Sequence, residues 1–244
     1  MRFRNRHFNA RHAGASLVLD SRFIDQADNS EVSSWADRST NAHTIQQTTP
    51  ASRPTFQTNE INGNPVVRFD GSNDFLSGGD ILDIGTNSLT MLAVAKRSSG
   101  SNGALFGKSE AAGSAGRYSL LRENNSFYPL YSPASGVANA PSIADTSTSA
   151  RINVGEVERG VAVRLRFNGA QEATSTITVS DTTNHNNGFS FFVGAYQTAG
   201  GTNTFSNYFW NGDIAQAVVL FTFNVSLRKR LEHSAAYSFK IACN

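Results

Sequence analysis

Apolar and polar residues alternate along much of the chain at the two-residue period that puts one set of side chains on one face of a strand. The clearest run places Val161, Val163, Leu165 and Phe167 on one face and Ala162, Arg164 and Arg166 on the other. Asn168-Gly169 follows, and then Ala173, Ser175, Ile177 and Val179 alternate with Thr174, Thr176 and Thr178. Two alternating runs around an Asn-Gly step predict a β-hairpin. Further strands are expected at Leu17 to Leu19, Val66 to Phe69, Tyr118 to Leu121, Phe127 to Tyr131 and Phe189 to Ala195. Leu89 to Ala95 and Ile214 to Phe221 are nearly continuous apolar runs, the pattern of strands covered on both faces. One helix is predicted near the C-terminus, capped by Ser226 and carrying Leu227, Leu231, Ala235 and Phe239 down one side. It is expected to cover one end of the molecule. Many short strands separated by turn clusters predict an all-β sandwich or jelly roll.

Composition sharpens this picture in three places. The 17 Phe, with abundant Thr, Ser, Asn and Gly, favour strands and turns over helices. The 21 Lys and Arg nearly balance the 19 Asp and Glu, so the net charge of +2 does not mark a nucleic-acid binder. The positive charge is local, however: Arg2, Arg4, Arg6 and Arg11 all precede the first acidic residue, Asp20. The expected organisation is a basic N-terminal arm over 1–14 and a single sandwich domain over 15–244, the arm docking onto phosphate or an acidic protein surface. The apolar stretch after the arm is interrupted by Asp20 and Arg22, too early for a signal peptide, and no run has the roughly 18 apolar residues of a membrane helix. The lone Cys243 has no internal disulfide partner, which leans towards folding in a reducing cytosol.

Several segments carry a resemblance. They are Leu17-Val-Leu-Asp20, Val32-Ser-Ser-Trp35-Ala-Asp37-Arg-Ser-Thr-Asn41, Arg53-Pro54-Thr55 and Asn62-Gly63-Asn64-Pro65 through Phe69-Asp70-Gly71 to Asp74-Phe75-Leu76. Phe209-Trp210-Asn211-Gly212-Asp213-Ile214-Ala215 and the helix from Ser226 to Tyr237 complete the set. In this order they resemble the concanavalin A-like lectin/glucanase superfamily, in particular its laminin-G-like modules of bacteriophage and environmental bacterial proteins. The match spans about 15–241 and is weak from 97 to 157. It implies a concanavalin A-like jelly-roll β-sandwich with a short C-terminal helix. On the residues themselves, Trp35 reads as a core position and Asp37 as a loop-shaping one, while Asp70-Gly71 and Asp74 read as a turn held by carboxylates.

The resemblance leaves function open. Its glucanase branch uses paired carboxylates on one strand face. Here only Glu156-Val157-Glu158 approaches that pattern, and it reads as a solvated strand entrance. His7, His12, His43, His185 and His233 have no metal-ligand spacing, and no nucleophile elbow or phosphate loop is present. The expectation is therefore a protein that is not an enzyme. Some jelly rolls of the superfamily hold calcium, for which Asp70, Asp74, Asp80 and Asp83 are the candidates, although no spaced ligand loop is present. Three functions remain. The first is a bacteriophage virion protein: a capsid-decorating, head-fibre or tail-fibre subunit, made in the host cytoplasm, docking on capsid or tail proteins, with a host cell-surface or environmental glycan as a further candidate partner, and assembled as a homo-oligomer, with a trimer as the guess. The second is a carbohydrate-binding lectin module, with Tyr128, Tyr131, Tyr196, Tyr208 and Trp210 as candidate sugar-contacting aromatics. The third is a spacer that holds its neighbours together.

Overall fold

The computed structural model describes residues 14–108, 115–134, 137–176, 181–197 and 208–244. Two antiparallel sheets face each other. The first has eight strands: β1 (Leu17–Asp20), β4 (Thr55–Ile61), β5 (Asn64–Asp70), β7 (Leu89–Arg97), β13 (Arg151–Glu158), β14 (Ala162–Phe167), β15 (Ala170–Thr176) and β17 (Asn211–Leu220). The second has nine: β2 (Ser34–Ala36), β3 (Thr44–Gln46), β6 (Leu76–Gly79), β8 (Gly103–Lys108), β9 (Tyr118–Glu123), β10 (Ser126–Ala134), β11 (Val137–Asn139), β12 (Ile143–Ala144) and β16 (Phe191–Val193). The first sheet runs β15-β14-β13-β7-β17-β5-β4, with β1 added along β17. The second runs β11-β10-β9-β8-β16-β6-β3-β2, with β12 added along β10. One helix, α1 (Val225–Phe239), follows β17. The protein is thus an all-β two-sheet sandwich with one C-terminal helix, a concanavalin A-like jelly roll.

The alternation seen in the sequence sorts side chains between two cores. Leu89, Met91, Ala93 and Ala95 of β7 point between the sheets, together with Trp35, Ile45, Phe69, Leu120 and Phe127. Leu92 and Val94 of the same strand point the other way, where they meet Val154, Val218, Leu231, Ala235 and Phe239. Strand β17 divides in the same manner, Val219 inward and Val218 and Leu220 outward. The continuous apolar runs therefore have two covers, the partner sheet on one side and α1 on the other. This corrects the expected place of the helix: it lies across the outer face of the eight-stranded sheet, not at one end of the sandwich. Its cap also differs. Asn224, not Ser226, accepts the Leu227 N–H at 2.9 Å. Asn224 has extended backbone, as a cap residue must, whereas Ser226 lies inside the helix.

Turn residues tie these layers together. Asn168 and Gly169 both take positive φ (48° and 86°), the two-residue hairpin turn expected from Asn-Gly. Val163 and Leu165 bury their side chains as the alternation requires, but Val161 precedes the strand and is 47% exposed. Residues 177–180 of the expected second strand lie outside the described residues. Asn62 and Gly63 make a comparable turn between β4 and β5, and the Asn62 amide donates to the Phe239 and Lys240 carbonyls at the end of α1 (2.9 and 3.1 Å). Asp37 stitches its loop to β1, accepting the backbone N–H groups of Val18, Ser39 and His43 at 2.8 to 3.0 Å. Trp35 fills the core beside it, only 1% exposed.

Charged residues expected at the surface turn out to have internal partners. Glu156 and Glu158 share the outer face of β13, and Glu156 is fully buried beneath α1. Its carboxylate meets Arg166 Nε at 2.6 Å and Arg228 Nε of the helix at 3.1 Å, and Arg228 also pairs with Glu232 one turn on. Burial holds the Glu232 carboxyl above its ordinary range, against the lowering effect of Arg228. The solvated strand entrance read from the sequence is thus a buried ion network; nothing local in Glu-Val-Glu reveals the helix that arrives seventy residues later. The four calcium candidates divide between two places. Asp80 and Asp83 hold the fully buried Lys108 ammonium at 2.7 and 2.5 Å. Asp70 accepts the N–H groups of Ser72, Asn73 and Asp74, and Asp74 in turn accepts that of Asp70 at 3.0 Å.

Two predictions follow from these buried charges. Glu156→Ala takes from Arg166 and Arg228 the buried carboxylate they share and is expected to destabilise the fold by about 3 kcal/mol in urea unfolding. The double substitution Arg228→Met with Glu232→Leu should cost less than Arg228→Met alone, because it removes Arg228 together with the buried Glu232 it pairs and leaves the Glu156–Arg166 pair in place. For Asp74, burial, helped by the Asp70 carboxylate, raises the pKa from 3.8 to about 6. The folded state therefore holds this proton more tightly than the unfolded chain, so stability falls as pH rises from near 3.8 through about 6. Asp74→Asn is expected to remove that fall, its advantage over the parent growing between pH 4 and 6 in thermal melts and constant above.

Candidate functional site

With α1 on one outer face, the other outer face belongs to the nine-stranded sheet, and a pocket of about 540 Å³ opens there. Its base comes from the alternation of β9 and β10. Tyr118 and Leu120 point into the core, so Leu121 and Glu123 point out; Phe127 points in, so Ser126, Tyr128 and Leu130 point out. Between the two strands Asn124 and Asn125 take positive φ (49° and 61°), a tight turn that sets Asn124 at the pocket's edge. Tyr196 and Tyr208 come from the chain after β16 and before β17 and close the other side, their rings 5.7 Å apart at 57°.

Gly194 is what brings Tyr196 there. Its φ is +83°, and a Cβ at this position would lie 2.2 Å from the Phe69 ring, so only glycine allows the chain to leave β16 in this direction. Its N–H donates to the Leu105 carbonyl and its carbonyl accepts from Trp210, which fixes the bend from both sides.

One carboxylate organises the polar part of the pocket. The Tyr128 hydroxyl donates to Glu123 Oε2 at 2.6 Å, and the Tyr208 hydroxyl donates to the other oxygen of the same group. The Tyr196 hydroxyl instead accepts from the Arg117 guanidinium at 2.8 Å, and Arg117 also donates to Ser132 Oγ at 3.0 Å. Burial, with Glu123 adding to it, holds the Tyr128 and Tyr208 hydroxyls well above the ordinary phenol range; burial also raises Tyr196 against the pull of Arg117. All three tyrosines thus stay neutral hydroxyls. A carboxylate has about four acceptor directions, so two Tyr donors leave Glu123 able to accept from a bound hydroxyl. Tyr196, which accepts from Arg117, keeps its proton to donate. The arrangement offers aromatic faces, apolar floor residues and a ring of donors and acceptors, the chemistry that fits an amphipathic polyol.

Three of the five aromatic candidates therefore converge, and two do not. Tyr131 is fully buried in the inter-sheet core, where its hydroxyl donates to Asp181 and its ring meets His185 edge-on at 6.2 Å. Trp210 is 4% exposed and packs over Gly103, in the same core. Strand parity explains both: Tyr131 sits three residues from Tyr128 and so faces the opposite side, and Trp210 enters the sandwich at the head of β17. Glu123, Arg117 and Asn124 are the site residues that the sequence did not single out. The signal that was present is the two-residue spacing of Ser119, Leu121 and Glu123, opposite in parity to Tyr118 and Leu120. Arg2, Arg4, Arg6 and Arg11 lie outside the described residues. Among the described residues no group of three or more His, Cys, Asp or Glu side chains is arranged to hold a metal ion, and no helix is long and apolar enough to cross a membrane.

No protein-family model matches the chain, and no curated protein matches it. Solved structures do. The chain is similar to the binding domain of botulinum neurotoxin serotype D, with a TM-score of 0.63 at 11% identity over 95% of this chain and 53% of that one. It is similar to the binding domain of Paraclostridial Mosquitocidal Protein 1 to the same degree (TM-score 0.63, 11% identity, 94% of this chain and 53% of that one). A serotype D ligand-binding domain in complex with N-acetylneuraminic acid matches at a TM-score of 0.59 and 10% identity, over 95% and 52% of the two chains. NanB with Optactamide matches more narrowly, over 68% of this chain and 27% of that one (TM-score 0.53, 14% identity). The chain spans about half the length of the toxin domains, and at these identities the likeness is one of fold, the lectin-like jelly roll.

Proposed function

We propose that the protein is a carbohydrate-binding module and that the tyrosine pocket on the outer face of the nine-stranded sheet is its sugar site. The observation that carries this reading is the convergence of Tyr128, Tyr196 and Tyr208 around Glu123 on a face that no other element of the fold covers among the described residues. Aromatic faces stack on the apolar face of a sugar ring, while the Glu123 carboxylate, Asn124, Ser126 and Ser142 meet its hydroxyls. The fold's likeness to toxin binding domains, one of them with a bound sugar, supports the same reading.

The module acts by adhesion and not by bond cleavage. The Glu156 and Glu158 pair, which came nearest to a glucanase pattern, is engaged by Arg166, Arg228 and Arg164 on the opposite sheet. A role as a virion subunit rests on the resemblance and on N-terminal arginines that lie outside the described residues, with no feature of the described fold to support it, so the lectin reading takes precedence over it.

A glycan array probed with the full chain tests the proposal. Binding to one class of neutral sugars is expected, and Tyr208→Ala should weaken it by about tenfold or more, the scale of a buried aromatic anchor. Tyr208→Phe keeps the ring and should lose only a fewfold. An array with no signal, or binding indifferent to Tyr208→Ala, sinks the assignment.

A further inference from the structure

A second pocket, of about 500 Å³, opens on the same outer face of the nine-stranded sheet. It is built from β3 and β6 and from the chain on either side of them. Leu76 and Ile45 point into the inter-sheet core, so Thr44, Gln46 and Ser77 point outward. Phe192 of β16 forms its aromatic floor, 1% exposed, with Phe75 set edge-on against it at 5.9 Å. Thr48 and Thr49 complete the rim, and among the described residues no charged side chain lines the pocket. Gln47 is committed to internal bonds, to the Phe75 carbonyl and the Thr49 N–H. Thr44, Gln46 and Thr48 are exposed. This is again an aromatic floor edged by neutral donors and acceptors.

Strand β16 and the chain just after it run from one pocket to the other. Phe192 floors one and Tyr196, four residues on, walls the other. Four residues span at most about 14 Å, and the bend at Gly194 shortens that reach. In the sheet, β10 and β6 are four strand spacings apart, about 19 Å. Two such pockets so close, on one face, and joined by one short stretch of chain fit one extended ligand better than two separate small molecules. The ligand implied is uncharged along its length: the second pocket offers no charge among the described residues, and in the first the Glu123 carboxylate is matched by the Arg117 guanidinium, so neither pocket carries a net charge to pair with an ionic chain.

We propose that the outer face of the nine-stranded sheet is a two-site groove for a neutral oligosaccharide of several units, with Thr44, Gln46, Thr48, Ser77 and the Phe75–Phe192 pair as its second subsite. The inference rests on the assignment of the tyrosine pocket as a sugar site. Joining the subsites through one ligand makes the second contact intramolecular, so affinity rises with chain length until both are filled.

Calorimetric titration of the full protein with malto-, cello-, xylo- and chito-oligosaccharides, from disaccharide to hexasaccharide, tests it. For the class that binds, affinity should rise about tenfold or more along the ladder, at one chain per protein. The double substitution Gln46→Ala with Thr48→Ala removes two exposed polar groups and should abolish that gain, about tenfold for two neutral hydrogen bonds, while leaving the disaccharide unaffected. Tyr208→Ala should weaken every length. If binding depends on Tyr208 but does not rise with length, or if the gain survives the double substitution, the groove is refuted and the tyrosine site stands. If no ladder binds, or binding ignores Tyr208→Ala, the sugar site itself fails and the groove with it.

Discussion

The packing of α1 against the eight-stranded sheet sets the functional layout of the protein. A sandwich of two sheets has four faces. Two form the inter-sheet core, and each remaining face must meet either protein or water. Leu231, Ala235 and Phe239 of the helix, with Val94, Val154 and Val218 beneath them, cover one of these and make it a second core. Each of the larger side chains contributes roughly 1.5 to 3 kcal/mol by leaving water, and Ala235 about the share of one methyl group. What remains is the outer face of the nine-stranded sheet, and both pockets open there. Helix and open face are in this sense one design, since covering one sheet leaves the other free to carry the pockets.

Much of the fold was legible in the sequence because its rules are local. The hairpin at Asn168-Gly169, the buried strands at Leu89 and Ile214 and the apolar side of α1 all follow from period and turn chemistry. Asp37 and the Asn62-Gly63 turn, prominent in the resemblance, prove to be fasteners: one ties a loop to β1 and the other ties a hairpin to the end of the helix. Where expectation failed, the cause was a partner distant in the chain. Glu156 looks like a surface residue until Arg228 is placed over it, and Asp80 and Asp83 look like ligands for a cation until Lys108 supplies one.

The candidate site was legible in part. Aromatic residues outside clear core positions pointed to Tyr128, Tyr196 and Tyr208, but the same criterion took in Tyr131 and Trp210. Strand parity separates Tyr131 from Tyr128 only once the register of β10 on β9 is known. Glu123 went unnoticed because a lone glutamate at a strand end has no distinctive spacing; its role appears when two tyrosines from different parts of the chain point at it. The strands that build the pocket also fall between residues 97 and 157, the stretch in which the resemblance is weakest. Fold-bearing motifs and the strands of the proposed site occupy different parts of this chain.

That separation bears on how freely the protein can change. Side chains on the open face, such as Asn124, Ser126, Ser142 and Gln46, hold up no second layer, so substituting them leaves the two cores as they are. The helix-covered face has no such freedom, because nearly every residue there is packed against another. The molecule therefore offers one side that is fixed and one that can be rewritten, a scaffold on which new specificities can be selected without rebuilding what holds it folded.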